Sequence, residues 1–262
     1  MSIHKTRDHL LDTLAQRGAL LAALIDPLDH PSLEAAITAG RAAAEAGADY
    51  VLVGGSIGVQ GELLDKVCKE IKSSISVPLV LFPGNVTTLS KYADAVYFMS
   101  MLNSRNPYWI SGAQTLAAPT VRQMGIEALS TSYIVCEPGG TVGFVGDANL
   151  VPRSKPQVAA AMAMAGQCMG SQFILTDSGS NPKDGPIPPE FAKAVAASIS
   201  VPYIVGGGVR TPAQASALVK AGADILQVGT ALENGGDVKK TVSALADAIH
   251  SAGKGRKKNF DI

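Results

Sequence analysis

Three glycine-rich loops in the C-terminal third of the chain carry residues able to hold an anion: Thr176-Asp177-Ser178-Gly179-Ser180, Gly206-Gly207-Gly208 and Gly229-Thr230. Glycine lets the backbone come close to a ligand, and successive N–H groups then point at its oxygens. Each loop follows a short apolar run, at residues 173–175, 203–205 and 225–228. Three such loops in succession suggest one phosphate held by several of them, at the C-terminal ends of the last strands of a (β/α)8 barrel. Asp177 is placed to touch a substrate hydroxyl as a hydrogen-bond acceptor or general base. An Asx turn that organises the loop is the other role open to it. Near the N-terminus, Asp26 closes one apolar run and Ser56 follows Gly54-Gly55 at the end of the next. A carboxylate and a hydroxyl at neighbouring strand ends suit Mg²⁺, which keeps several waters and bridges substrate phosphates. Capping of a loop and of a helix is the alternative for this pair.

The histidines, His4, His9, His30 and His250, all lie away from the expected strand ends. Histidine acid–base catalysis and a His-ligated transition metal are therefore not expected. Neither a P-loop nor a Gly-x-Ser-x-Gly elbow occurs. What remains is phosphate and Mg²⁺ chemistry. A diphosphate leaving group asks for little more, because metal and N–H groups stabilise the departing charge.

Eight apolar runs position these residues: 20–25, 50–53, 78–82, 95–99, 132–136, 173–175, 203–205 and 225–228. They are short, rich in Val, Ile and Leu, and not alternating, as for strands buried on both faces. Helical stretches lie between them. One is expected at 32–46, started by Pro31-Ser32 and stopped by Gly47; another opens at Thr211-Pro212. An Ala- and Met-rich helix near 158–169 is expected to pack on the barrel. The predicted architecture is an α/β single-domain TIM barrel over residues 1–262. Residues 1–17 form an N-terminal helical extension and 252–262 a polar, solvated tail. The segment 139–147 reads as a long loop of the kind that forms a lid or binding loop.

The chain has 262 residues, 47% hydrophobic and 17% charged, enough for a sizeable core. Its 22 basic and 22 acidic residues cancel, which argues against a broad nucleic-acid surface. Three scattered cysteines, with no signal peptide and no membrane span, suit a reduced, cytoplasmic protein.

Further motifs are Asp26-Pro27, Gly54-Gly55-Ser56, Asn103-Ser104-Arg105-Asn106-Pro107-Tyr108-Trp109-Ile110, Glu137-Pro138-Gly139-Gly140-Thr141-Val142-Gly143, Val145-Gly146-Asp147 and Pro152-Arg153. With the glycine loops, they resemble the geranylgeranylglyceryl phosphate synthases, whose bacterial relatives make heptaprenylglyceryl phosphate. The likeness runs from Asp26 to Thr230. It implies a TIM-barrel prenyltransferase of archaeal membrane phospholipid synthesis. Such an enzyme joins the 3-hydroxyl of sn-glycerol 1-phosphate to C1 of geranylgeranyl diphosphate and releases diphosphate. By position, Asp26 and Ser56 would hold Mg²⁺. Leu175, Thr176, Asp177, Ser178, Gly179, Ser180, Asn181, Gly207, Gly208, Gly229 and Thr230 would hold glycerol 1-phosphate, with Asp177 orienting or deprotonating its hydroxyl.

The chain departs from that family where it usually reads Tyr-Leu-Glu-Ala-Gly-Ser-Gly: here Leu175 replaces the Tyr, Asp177 the Glu and Asn181 the last Gly. Leu116 also stands where an acidic residue is frequent. Val80, Leu81, Phe82, Tyr97, Phe98 and Met99 are candidates for a prenyl groove or for ordinary core. Three places suit Tyr108-Trp109: gating the groove, packing a helix or, the favoured one, a subunit contact. The resemblance also implies a homo-oligomer, transient contact with a membrane surface and, for two anionic substrates, a positive field over the barrel top. Two alternatives stay open: another phosphate-binding isomerase or aldolase barrel, and a non-catalytic binder of prenyl or glycerol phosphates.

Overall fold

A computed structural model describes residues 5–55, 57–233, 236–256, 258 and 260. Along β1 (Leu20–Ile25) every side chain is buried, but in two places. Leu20, Ala22 and Leu24 point into a barrel interior shared with Tyr50, Tyr97, Phe173 and Ile204. Leu21, Ala23 and Ile25 point outward to a ring of helices. Two buried faces leave no position for polar residues, which is why these strands read as continuous apolar runs. The remaining strands are β2 (Tyr50–Val53), β3 (Leu79–Leu81), β4 (Ala95–Met101), β5 (Glu127–Val135), β6 (Phe173–Asp177), β7 (Tyr203–Gly206) and β8 (Ile225–Val228). They close in sequence order into a parallel barrel, β8 pairing with β1.

The helices are α1 (Lys5–Arg17), α2 (Leu33–Glu45), α3 (Gly61–Lys72), α4 (Ala113–Met124), α5 (Gly140–Val145), α6 (Pro156–Cys168), α7 (Pro189–Ala196), α8 (Pro212–Ala221) and α9 (Val238–Gly253). Ser32 caps α2, and Thr211 with Gln214 forms a capping box on α8, as their types and spacing predict. Leu10 and Leu14 of α1 pack against the bottom of the barrel interior, so the N-terminal extension serves as a plug.

A side-chain acceptor just ahead of each even-numbered strand binds the backbone of the odd strand before it. Asp49 accepts from Leu21 N at 2.7 Å, Asp94 from Leu79 N at 2.8 Å, Gln172 from Ser130 N at 3.3 Å and Asp224 from Tyr203 N at 3.0 Å. The barrel is thus pinned in four strand pairs. Asp49 also takes Arg17 at 2.7 Å and His250 at 2.9 Å, tying both terminal helices to β2. Removing it would leave a buried N–H and two bases without their acceptor. Asp49→Ala is expected to lower unfolding free energy by about 3 kcal/mol, read from a denaturant titration.

Three expectations differ from the structure. The fifth strand starts at Glu127, five residues early, because its polar residues have partners: Glu127 accepts from Thr6 N, and the Thr131 hydroxyl donates to Leu129 O. The 139–147 segment is not a bare loop but contains α5. Part of the described tail is anchored, although Lys254, Gly255 and Lys258 are exposed. Arg256 and Lys258 both reach the buried Asp224 at 2.9 Å, and Phe260 packs on the barrel interior beside the α1 plug.

Among the described residues no helix joins β3 to β4. That omission shapes the site, since the space beside β4 is left to α4 and to the segment 82–94.

Candidate active site

Alternation along the strands decides what reaches the top of the barrel. Leu175, Ile204 and Ile225 form an apolar layer inside it. Two residues further on, the same faces carry Asp177, Gly206 and Gln227. Beyond these, the strand ends turn into loops that line one cleft. Its empty volume, open mouth included, is about 1420 Å³.

The cleft has two chemically different halves. Over β6–β8 its wall is Asp177, Gly179, Ser180, Gly207, Gly208, Arg210, Gly229 and Thr230. Gly179, Gly207 and Gly208 have φ of 80°, 84° and 81°, a region that favours glycine. A Cβ on Gly207 would also lie 2.7 Å from Gly179 O and 2.9 Å from Asp177 Oδ1. Gly207→Ala should therefore weaken inorganic phosphate binding by about tenfold or more, with the circular dichroism of the fold unchanged. The other half is apolar. Phe82, Leu89, Val96, Phe98, Met99 and Trp109 line it with Ala117 and Val121 of α4, where a βα unit would ordinarily place a helix beside β3. Val142 and Val145 of α5 close one side, while Phe144 is 89% exposed.

Asp177 is buried at the junction of the halves. Its Oδ2 accepts from the Tyr133 hydroxyl at 2.8 Å and its Oδ1 from Gly179 N at 2.7 Å. Burial raises its pKa above the usual carboxylate value, and these two hydrogen bonds pull it back in part.

Asp26 stands across the cleft, 9% exposed, at the end of β1. Burial first, then the charges of Asp29, Glu233 and Asp177, pushes its pKa up to about 7. Glu233 is likewise raised to about 7, by burial and then by Asp29. Oxygens of Asp26, Asp29 and Glu233 lie within 4.8 Å of one another. Asp26 Oδ1 is buried and has no partner among the described residues. A hard, oxygen-only donor set with an orphaned buried oxygen fits a divalent cation such as Mg²⁺. Gly54 keeps the approach open, since a Cβ there would sit 3.0 Å from Asp26 Oδ1.

The structure brings together Asp26, Asp177, Gly179, Ser180, Gly207, Gly208, Gly229 and Thr230. Ser56 lies outside the described residues. Leu175, Thr176, Ser178 and Asn181 do not line the cleft but frame its loop. Leu175 is barrel core, Thr176 bonds the Tyr203 hydroxyl at 2.7 Å, and Asn181 Oδ1 accepts from Arg210 at 2.5 Å. Phe82, Tyr97, Phe98 and Met99 line the cleft, whereas Val80 and Leu81 are core. Trp109 lines it too, the groove position that was one of its three expected places. The expected positive field is not supplied by side chains: the lining has Asp26, Asp177 and Glu233 against Arg210. Backbone amides and a bound cation are what this cleft can offer an anion instead. Sequence reasoning missed Asp29, Tyr133, Arg210, Gln227 and Glu233. Asp29 stands three residues after Asp26, and Gln227 interrupts an apolar run; both signals were visible.

A model of the PcrB family matches residues 17–249. The geranylgeranylglyceryl phosphate synthase of Thermococcus kodakarensis is 49% identical over 232 residues, 88% of this chain and 91% of that protein. The synthase of the same name from Pyrococcus horikoshii is 44% identical over 252 residues, 95% of this chain and 98% of that protein. Among solved structures, the (S)-3-O-geranylgeranylglyceryl phosphate synthase of Thermoplasma acidophilum, in complex with its substrate sn-glycerol-1-phosphate, is similar at a TM-score of 0.87. It is 34% identical, over 92% of this chain and 98% of that one.

Proposed function

The chain belongs to the PcrB family, the family of the geranylgeranylglyceryl phosphate synthases, and from that premise we propose that it is a prenyltransferase forming an ether between sn-glycerol 1-phosphate and geranylgeranyl diphosphate. The observation that carries this reading is the two-sided cleft, with glycine loops and a buried carboxylate on one side and an apolar channel beside β4 on the other.

The acceptor's phosphate lies against Gly207, Gly208, Gly229 and Thr230, near Arg210. Its 3-hydroxyl meets Asp177. The prenyl tail runs past Phe82, Met99 and Trp109 toward Ala117 and Val121. Asp26, Asp29 and Glu233 would hold Mg²⁺. When bound, the cation neutralises the charge that develops on the departing diphosphate. In the transfer, the acceptor oxygen bonds to C1 of the prenyl group and the C1–O bond to diphosphate breaks. The electron pair leaves with the diphosphate, and Asp177 takes the hydroxyl proton. The raised pKa of Asp177 suits that task better than an ordinary carboxylate would. The apolar channel excludes water, which would otherwise capture the allylic carbon.

The reaction belongs to membrane phospholipid synthesis and runs in the cytoplasm. No helix of the described residues is long and apolar enough to cross a membrane. Exposed Phe144, beside the cleft, supports passing contact with a lipid surface. Exposed Val158, Met164 and Met169 on or beside α6, with Leu116 on α4, support assembly with a second copy, which light scattering would read directly.

Release of diphosphate tests the reading. It should require sn-glycerol 1-phosphate, fall sharply with its mirror image, and depend on prenyl length. Absence of release across donors of every length would contradict it and favour a binder without turnover.

A further inference from the structure

Gln227 is an anomaly in β8. Its neighbours Leu226 and Val228 face the helices, and Ile225 faces the barrel interior. The alternation therefore turns the Gln227 amide inward, where it lines the cleft at 4% exposure. Its Oε1 is buried and has no hydrogen-bond partner among the described residues. A buried amide oxygen without a donor costs stability, so such a group in a native site calls for an explanation.

Register supplies one. Gly206 of β7 pairs with Asp177 on one side and with Gln227 on the other. The two polar residues thus flank a residue with no side chain, their backbones about 10 Å apart across two strand spacings. A Cβ on Gly206 would lie 3.2 Å from Asp177 Cγ, so the glycine keeps the space between them open. Asp177 Oδ1 and Oδ2 already accept from Gly179 and Tyr133, while Gln227 Oε1 still wants a donor. A ligand with two neighbouring hydroxyls and a phosphate fits this arrangement.

We propose that Gln227 is a specificity-determining contact whose side-chain carbonyl accepts a hydrogen bond from the 2-hydroxyl of the acceptor, while Asp177 faces the 3-hydroxyl. This rests on the glycerol phosphate reading above. It assigns the non-reacting hydroxyl to a residue of the chain outside the glycine loops.

The test is calorimetric binding of sn-glycerol 1-phosphate and of propane-1,3-diol monophosphate, which lacks the 2-hydroxyl, to the wild type and to Gln227→Leu. The wild type should favour glycerol phosphate by about tenfold, the worth of one good hydrogen bond. Gln227→Leu should bind both compounds alike, at the weaker affinity. Its ligand-free melting temperature should not fall, because the substitution removes an unsatisfied buried carbonyl; a merely structural Gln227 would lower it. Gln227→Met serves as the second, unbranched variant if the leucine does not fold. Retention of the preference in either variant overturns the proposal, as does a wild type indifferent to the 2-hydroxyl. A wild type that binds neither compound removes the glycerol phosphate reading together with it.

Discussion

Replacing Asp26 by asparagine is expected to lower turnover by about a thousandfold and, in metal-free buffer at pH 8, to raise the melting temperature. The two effects have one cause. Asp26 is buried beside Asp29 and Glu233, and its pKa in the folded protein is about 7 against the usual 3.8. Between those values the unfolded chain has lost this proton and the folded chain has kept it. Stability therefore falls as pH rises through that window, and the deficit is complete above about pH 7. Asparagine removes the charge and with it the deficit, but offers a cation only a neutral carbonyl. Added Mg²⁺ should stabilise the wild type more than the variant, because binding to the folded state alone shifts the unfolding equilibrium. A variant that melts lower than the wild type in chelator, or that keeps full activity, would remove Asp26 from the metal site.

Asp177→Asn is expected to cut kcat by about 10²–10⁴-fold while leaving the KM for prenyl diphosphate nearly unchanged. Asparagine keeps the shape: its Oδ1 can still accept from Gly179 N while its NH2 donates to the Tyr133 hydroxyl oxygen, so the loop should survive. What it loses is the ability to take a proton. In the wild type, burial raises the Asp177 pKa, so the acid limb of kcat should lie above the usual carboxylate range. Below that limb the carboxyl is protonated and cannot act as base. The acid limb should vanish in the asparagine variant. Loss confined to prenyl binding would mean that the acceptor side has been placed wrongly.

Much of this was legible in the chain. The bounds of β1, β2 and β8 coincide with their apolar runs, because both faces of those strands are buried. β5 hid its first half, because Glu127 and Thr131 are polar residues that find partners there, Glu127 in the distant Thr6 N and Thr131 in Leu129 O. The glycine loops could be read in the chain before they were seen to wall the cleft, since glycines at φ near 80° leave a mark in composition. Glu233 left none. It joins Asp26 only because β8 closes the barrel onto β1, and closure is not written in local spacing. Tyr133 reaches Asp177 through the β5–β6 register for the same reason. The anchoring of Arg256 and Lys258 left no local mark, because their partner, the buried Asp224, is distant in sequence.

The most direct test of the central claim is a mass spectrum of the product formed from sn-glycerol 1-phosphate and geranylgeranyl diphosphate, with Mg²⁺ or with chelator. The two-sided cleft predicts the geranylgeranyl ether of glycerol phosphate with Mg²⁺ and none with chelator. Prenyl alcohol alone, formed by water in place of the acceptor, would contradict the account.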